Sequence, residues 1–270
     1  MGSDVPPARA RVPRLALLTF SFALALHCRG NEPPKERATT AQPAASASAA
    51  APAPARPEPP VTAAGESFYY HRWSFETAKS AFRIADLSMR GSLTEALGAK
   101  AHLAVNGGFF DPDGRGIGLT VSEGKTLARF SPTMSGGVFF VENGVAKIVA
   151  TEEWAPEHHV DLAVQCRPRL VVQGKVNIRS DDGQRAERTA LCVRDQGATV
   201  DVIVAEPTPG TRGPSLFALG RYLADEQHCD DALNLDGGPS TGVAYRSGDV
   251  ATTPQVMPPR GPLRYAVIVE

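Results

Sequence analysis

An α+β fold, with a mixed, largely antiparallel β-sheet core, a few packed helices and a single domain, is what this chain of 270 residues predicts. Three observations predict it: short apolar or alternating runs beyond about residue 65, turn dipeptides between those runs, and two segments that carry helix-capping signals. At 42% hydrophobic residues the chain has enough apolar material for one good core.

Residues 1–27 read as an export signal. Arg9, Arg11 and Arg14 form a basic n-region, and the apolar run from Leu15 to Leu26 is too short to span a bilayer. Cys28 follows directly, the position at which a bacterial lipoprotein is acylated, although His27 stands where such sites carry a small residue. A lipid anchor through Cys28 is therefore the favoured expectation, with simple secretion the other. Residues 28–64 turn to Ala, Pro, Ser and Thr with almost no large apolar side chain, a composition that cannot bury enough surface to offset its ordering entropy. They predict a tether, made semi-extended by its prolines, leading to a folded domain over 65–270.

Within that domain the strand candidates come first. Ala101 to Val105, Val138 to Val141, Leu170 to Val172, Ala190 to Val193, Val200 to Ala205, Ala232 to Leu235 and the alternating Leu263 to Val269 all have strand length, and all but Ala232 to Leu235 have β-branched content. Glu123-Gly124, Asn143-Gly144 and Gln173-Gly174 are hairpin turn pairs, which favours antiparallel neighbours. Helices are marked by Ser92-Leu93-Thr94-Glu95, with capping-box spacing, and by Ser215 ahead of a face made by Leu216, Leu219, Tyr222 and Leu223.

Cysteine count adds one constraint. With Cys28 set aside for lipid, Cys166, Cys192 and Cys229 remain, enough for one bridge and one thiol in an oxidising compartment. Cys166 and Cys192 fall in neighbouring predicted strands, so that pair is the expected disulfide, with about 3 kcal/mol of chain-entropy stabilisation. Among metal candidates, no Cys-x-x-Cys pair occurs, and His158-His159 would point opposite ways on a strand, so a solvated loop is expected there. The acidic Asp111-Pro112-Asp113-Gly114 segment could hold a divalent cation such as calcium, but it lacks the full spacing of a calcium loop. No cofactor is required by the sequence. Nucleic-acid binding is disfavoured by a net charge of -1 and by the lack of a basic stripe with interleaved aromatics. A serine hydrolase is disfavoured too, because no Gly-x-Ser-x-Gly elbow is present and Ser135 has no evident histidine partner.

The densest chemistry lies in two glycine motifs that each follow an apolar run. Asn106-Gly107-Gly108-Phe109-Phe110-Asp111 is one, and Asn234-Leu235-Asp236-Gly237-Gly238-Pro239-Ser240-Thr241 is the other. Glycine pairs at strand ends let a ligand approach the backbone, so the two strand ends are expected to converge on one site. Together with Gly118-Leu119-Thr120-Val121, Ser135-Gly136-Gly137-Val138-Phe139 and Arg188-Thr189-Ala190 they stand in an order that resembles the phosphodiester glycosidases, the family of the enzyme that uncovers mannose 6-phosphate.

That resemblance implies hydrolysis of a sugar 1-phosphodiester, with a small-molecule or polymeric phosphoglycan as partner. It implies Asp236, Arg188 and Asp111 as catalytic residues. Asn106, Gly107, Gly108, Thr189, Gly237, Gly238, Ser240 and Thr241 are implied as substrate ligands. The residues suit that reaction: Arg188 offers a fixed fork of donors for phosphate, and either aspartate can act as base or nucleophile. Phosphate is already a weakly basic leaving group, so one carboxylate can suffice where ordinary glycosidases need two. Where the family often carries a glycine-proline pair, this chain has Arg167-Pro168-Arg169, which favours a more anionic substrate, and Arg260 is a candidate second phosphate contact. A non-catalytic glycan- or phosphoglycan-binding envelope lipoprotein is the alternative.

Overall fold

In a computed structural model of the chain, residues 59–155 and 160–270 are described. The leader, Cys28, most of the tether and His158-His159 lie outside them. In chain order the elements are β1 (Val61–Ala63), β2 (Glu66–Glu76), β3 (Phe82–Asp86), α1 (Leu93–Leu97), β4 (Leu103–Asn106), β5 (Thr120–Ser122), β6 (Lys125–Ala128), β7 (Gly137–Glu142) and β8 (Val145–Ala150). They continue with β9 (Leu162–Cys166), β10 (Arg169–Val172), β11 (Lys175–Val176), β12 (Arg188–Arg194), β13 (Thr199–Pro207), α2 (Leu216–Asp225), β14 (Asp231–Asn234), β15 (Val243–Tyr245), β16 (Gln255–Met257) and β17 (Tyr265–Val269).

The strands form three antiparallel sheets: β1-β2-β13-β12-β14-β10-β11, β16-β15-β4-β17-β3 and β6-β5-β9-β7-β8. The expected α+β class, dominated by antiparallel sheet, is what the chain adopts. All three turn pairs close hairpins with both residues at positive φ, as in Asn143 at 52° and Gly144 at 72°, the geometry whose twist matches the flanking strands. The same turn chemistry recurs at Ala64-Gly65 between β1 and β2, so the sheet begins at Val61, a few residues before the expected boundary.

Side-chain alternation distributes the core. Val105, Tyr265, Val267, Phe139, Val164, Cys166, Leu191, Val202 and Leu233 pack into one cluster fed by all three sheets. Their odd-even neighbours point the other way. Ala190, Cys192, Ile203 and Ala232 meet α2, whereas Ala104, Ala266 and Ile268 meet α1. Strands so placed are covered on both faces, which is why they read as unbroken apolar runs. Both helices start as their sequences require. Ser92 and Glu95 form the reciprocal capping box of α1, and Ser215 Oγ accepts the Ala218 N–H at 3.0 Å to open α2. Leu219 and Leu223 of α2 are fully buried.

The expected Cys166–Cys192 bridge does not form; the disulfide joins Cys192 to Cys229, with Cys166 a buried free thiol. Pleating decides this. On β12, Leu191 and Val193 face the cluster that holds Cys166, so Cys192 faces the α2 side, where Cys229 arrives from the α2–β14 connection. A bridge across a separation of 37 residues stabilises by about 4 kcal/mol in chain-entropy terms.

Candidate active site

β12 and β14 pair antiparallel with Ala190 opposite Asn234, and the ladder continues past the strand end through Leu235 N–H donating to Thr189 O at 2.9 Å. That register sets Arg188 across from Asp236. Strand alternation puts Asn234 and Asp236 on one face, the α2 side, where Ala190 and Ala232 also point. Here a cleft of about 590 Å³ is lined by Asp236, Arg188, Asn234, Gly237, Gly238, Arg167 and Ser135, with Phe109 and Leu216 among its apolar walls.

Asp236 is held from both ends. Its Oδ1 accepts the Gly237 N–H at 2.9 Å and the Ser240 hydroxyl bonds its carboxylate. Its main-chain N–H donates to Gly107 O at 3.2 Å, and its carbonyl accepts from Asn106 Nδ2 at 2.7 Å. Burial raises its pKa above the ordinary aspartate value, and the Ser240 and Gly237 hydrogen bonds oppose that rise. Gly238 takes φ of +59°, a conformation that a side chain would strain, and its N–H donates to Glu187 O at 2.8 Å.

Arg188 is half-buried and bonded to main-chain carbonyls, with Nε donating to Pro214 O and Nη2 to Gln184 O, both at 3.2 Å. Among the described residues no carboxylate forms a salt bridge with it. Burial lowers its pKa from the usual arginine value, which for this side chain leaves the cation intact. Asp182 and Glu66 lie near enough to favour its charged form without forming a salt bridge with it, and Arg167, exposed and also lining the cleft, adds a second cation.

The first glycine motif meets the second but does not line the cleft with its polar groups. Asn106 is fully buried, and its amide is spent: Nδ2 on Asp236 O, Oδ1 accepting Thr189 Oγ1 at 2.7 Å and Gly242 N–H at 3.2 Å. Thr189, buried with it, is thereby committed to Asn106. A Cβ on Gly107 would sit 3.0 Å from Tyr265 Cβ and 3.2 Å from its main chain, and one on Gly108 would sit 3.2 Å from Val164. These glycines thus serve close packing under the site. Asp111 lies beyond, in a turn where its Oδ1 accepts the Arg115 N–H at 2.8 Å, and Asp113 binds the Arg115 guanidinium at 2.7 Å. Among the described residues no cluster of three or more His, Cys, Asp or Glu is placed to hold a metal. Ser240 and Thr241 are buried behind the Asp236 loop, and Arg260 is paired with Glu187.

Arg167, expected to favour an anionic substrate, does line the cleft, whereas Asn234, Ser135 and Phe109 are cleft residues that the sequence reading did not assign to substrate. For Asn234 the signal was present, because it stands two residues before Asp236 in a strand and must share its face.

Over residues 99–269, more than half of the chain, the sequence matches the family described as phosphodiester glycosidase. Among solved structures, the catalytic domain of zebrafish N-acetylglucosamine-1-phosphodiester alpha-N-acetylglucosaminidase, auto-inhibited by its pro-peptide, is similar with a TM-score of 0.58 at 19% identity, over 77% of this chain and 80% of that one. A protein of Synechocystis gives 0.57 at 14% identity over 78% of this chain, which spans 61% of that protein's length. A protein described as exported from Burkholderia pseudomallei gives 0.53 at 13%, over 76% and 74% of the two chains. At these identities the likeness is one of fold. No curated protein matches by sequence.

Proposed function

The chain belongs to the phosphodiester glycosidase family, and from that premise we propose that it hydrolyses a sugar 1-phosphodiester, with Asp236 as the base and Arg188 as the phosphate ligand. The observation that carries this reading is the pairing of the two in one cleft: an arginine with no salt-bridge partner among the described residues, set across from a half-buried carboxylate. Such a guanidinium stabilises charge as it develops on a departing phosphate, and more so where burial lowers the local dielectric. Arg167, which also lines the cleft, supports an anionic aglycone.

In the proposed step water attacks the anomeric carbon, and the bond between that carbon and the phosphate oxygen breaks with its electron pair leaving on the phosphate. Asp236 takes the water's proton and later gives it to solvent. The products are a free sugar and a phosphomonoester. Desolvation strengthens Asp236 as a base, while its bonds to Gly237 and Ser240 fix its direction. The site needs no second carboxylate, because the leaving group departs as a stabilised anion.

The cellular setting belongs to the same proposal. A leader over residues 1–27, acylation at Cys28 and a Pro-rich tether would place the domain at the cell envelope. The Cys192–Cys229 disulfide supports an oxidising compartment, and no helix among the described residues is long and apolar enough to cross a membrane.

Incubation of the purified protein with UDP-N-acetylglucosamine and simple sugar 1-phosphodiesters in ¹⁸O water tests the reaction. Label on the anomeric carbon is expected. Label on phosphate would instead make the cleft a phosphodiesterase site, and binding without turnover would make it a phosphoglycan-binding module.

A further inference from the structure

Asn234 is almost fully buried, at 5% exposure, and both hydrogens of its amide are used. Nδ2 donates to Arg167 O at 2.9 Å and to Leu235 O at 2.7 Å. Turning the amide over would set its oxygen against two carbonyl oxygens, so the orientation is fixed by its partners. What remains is Oδ1, an acceptor that is buried and has no hydrogen-bond partner among the described residues.

Few buried side-chain atoms are in that state. Among the described residues the others are Tyr70 Oη, Thr241 Oγ1 and Arg264 Nε, and none of their residues lines the cleft that contains Asp236. A buried acceptor left empty is destabilising, and folded proteins seldom leave one standing without a use. At Asn234 the use is indicated by place. The residue lines the cleft, and among the residues that line it Asn234 is the one with a buried polar side-chain atom left without a partner.

We propose that Asn234 is a specificity-determining residue of the glycosyl subsite, its free Oδ1 accepting a hydrogen bond from one hydroxyl of the sugar while its Nδ2 anchors the Arg167 backbone. The phosphate cannot be the partner, since an acceptor oxygen repels phosphate oxygens, whereas Arg188 and Arg167 offer donors and positive charge. The sugar, rich in donors, is the part of the substrate with matching chemistry. Spacing agrees: alternate residues of a strand are about 6.6 Å apart, so Asp236 at the anomeric carbon and Asn234 at a ring substituent fall within reach of one sugar ring.

This inference rests on the glycosidase reading, and its test keeps the two apart. Sugar 1-phosphodiesters lacking one hydroxyl at a time, each beside the analogue with fluorine at that carbon, are compared as substrates of wild type and Asn234→Ala. Fluorine accepts but cannot donate. For wild type, one position is expected to lose about 10- to 100-fold in kcat/KM in both analogues, the range that follows from stranding a buried acceptor. In Asn234→Ala that selectivity disappears, so the parent and its deoxy analogue react within about 3-fold of each other, the criterion of a double-mutant cycle. Turnover with an undiminished penalty in the variant, or with no penalty in wild type, overturns the role of Asn234 and leaves the glycosidase reading intact. Should Asn234→Ala fail to fold, a crystal structure of the wild type with a non-hydrolysable glycosyl phosphonate decides: a sugar donor within hydrogen-bond distance of Oδ1 is expected, and an Oδ1 without one overturns the proposal. If the intact phosphodiester binds without turnover, the same cycle is read in Kd. Absence of both binding and turnover overturns both readings.

Discussion

The two glycine motifs invite comparison, because each closes a buried strand with an asparagine, a glycine pair and an aspartate nearby. At Asn106-Gly107-Gly108 the asparagine is enclosed, each polar atom of its amide is bonded to protein, and the glycines pack against Tyr265 and Val164. At Asn234 to Gly238 the asparagine keeps a free acceptor and the aspartate faces a cleft beside an arginine that has no salt-bridge partner among the described residues. Similar composition therefore supports two roles. The first motif is a clamp: Gly107 O and Asn106 Nδ2 grip the two sides of the Asp236 main chain. The second carries the chemistry that the clamp aims. What separates them is whether a residue's hydrogen-bonding capacity is already used inside the protein.

The sharpest way to break this comparison is to neutralise both aspartates. Asp236→Asn is expected to lower kcat on a sugar 1-phosphodiester by about 1,000-fold, a barrier increase of about 4 kcal/mol. Asp111→Asn, in its solvent-facing turn, is expected to keep turnover within about 3-fold, the scale of a change of about 0.5 kcal/mol. Comparable losses in both variants would erase the distinction between clamp and site.

Next in size is the clamp itself. Asn106→Leu keeps the branched outline with a somewhat larger side chain but strands the Thr189 hydroxyl, the Gly242 N–H and the Asp236 carbonyl, so a loss of about 3 kcal/mol in unfolding free energy is expected in urea titration. A variant as stable as wild type would show that Asn106 clamps nothing.

The smallest effect is a pH signature. Burial raises Asp236's pKa, so the folded state favours the protonated carboxyl. The stability this contributes is fully present below the ordinary aspartate pKa and is lost as pH rises through the raised folded value. Asp236→Asn cannot ionise and is expected to melt above wild type near neutral pH, the difference shrinking toward acid. The wild-type rate should fall on the acid side with a midpoint above the ordinary aspartate range. Melting curves that run parallel at all pH values would remove the burial argument.

Much of the fold was legible along the chain. Hairpins at Glu123-Gly124, Asn143-Gly144 and Gln173-Gly174 follow from backbone preferences of the turn residues alone, and the capping box at Ser92 and Glu95 is equally local. β2, the longest strand, was not singled out, because its inner and outer residues are both polar and aromatic and only Phe68 is fully buried. In the candidate site, Asp236 and Arg188 were legible from motif and chemistry. Asn106 and Asp111 carried the same residue types without facing the cleft.

By itself, the sequence determined the hairpin turns, the helix starts and the most apolar strands, because those depend on contacts a few residues apart. Tertiary structure decided which strands are neighbours, in what register, and which face each residue joins. Cys192 pairs with Cys229 because β12 turns its odd and even residues to different cores, and Arg188 opposes Asp236 because the β12–β14 register continues past the strand end. The same placement spent Asn106's amide and left Asn234 Oδ1 free. A hydrogen bond is satisfied or left open only by atoms brought from elsewhere in the chain, and no local pattern records which.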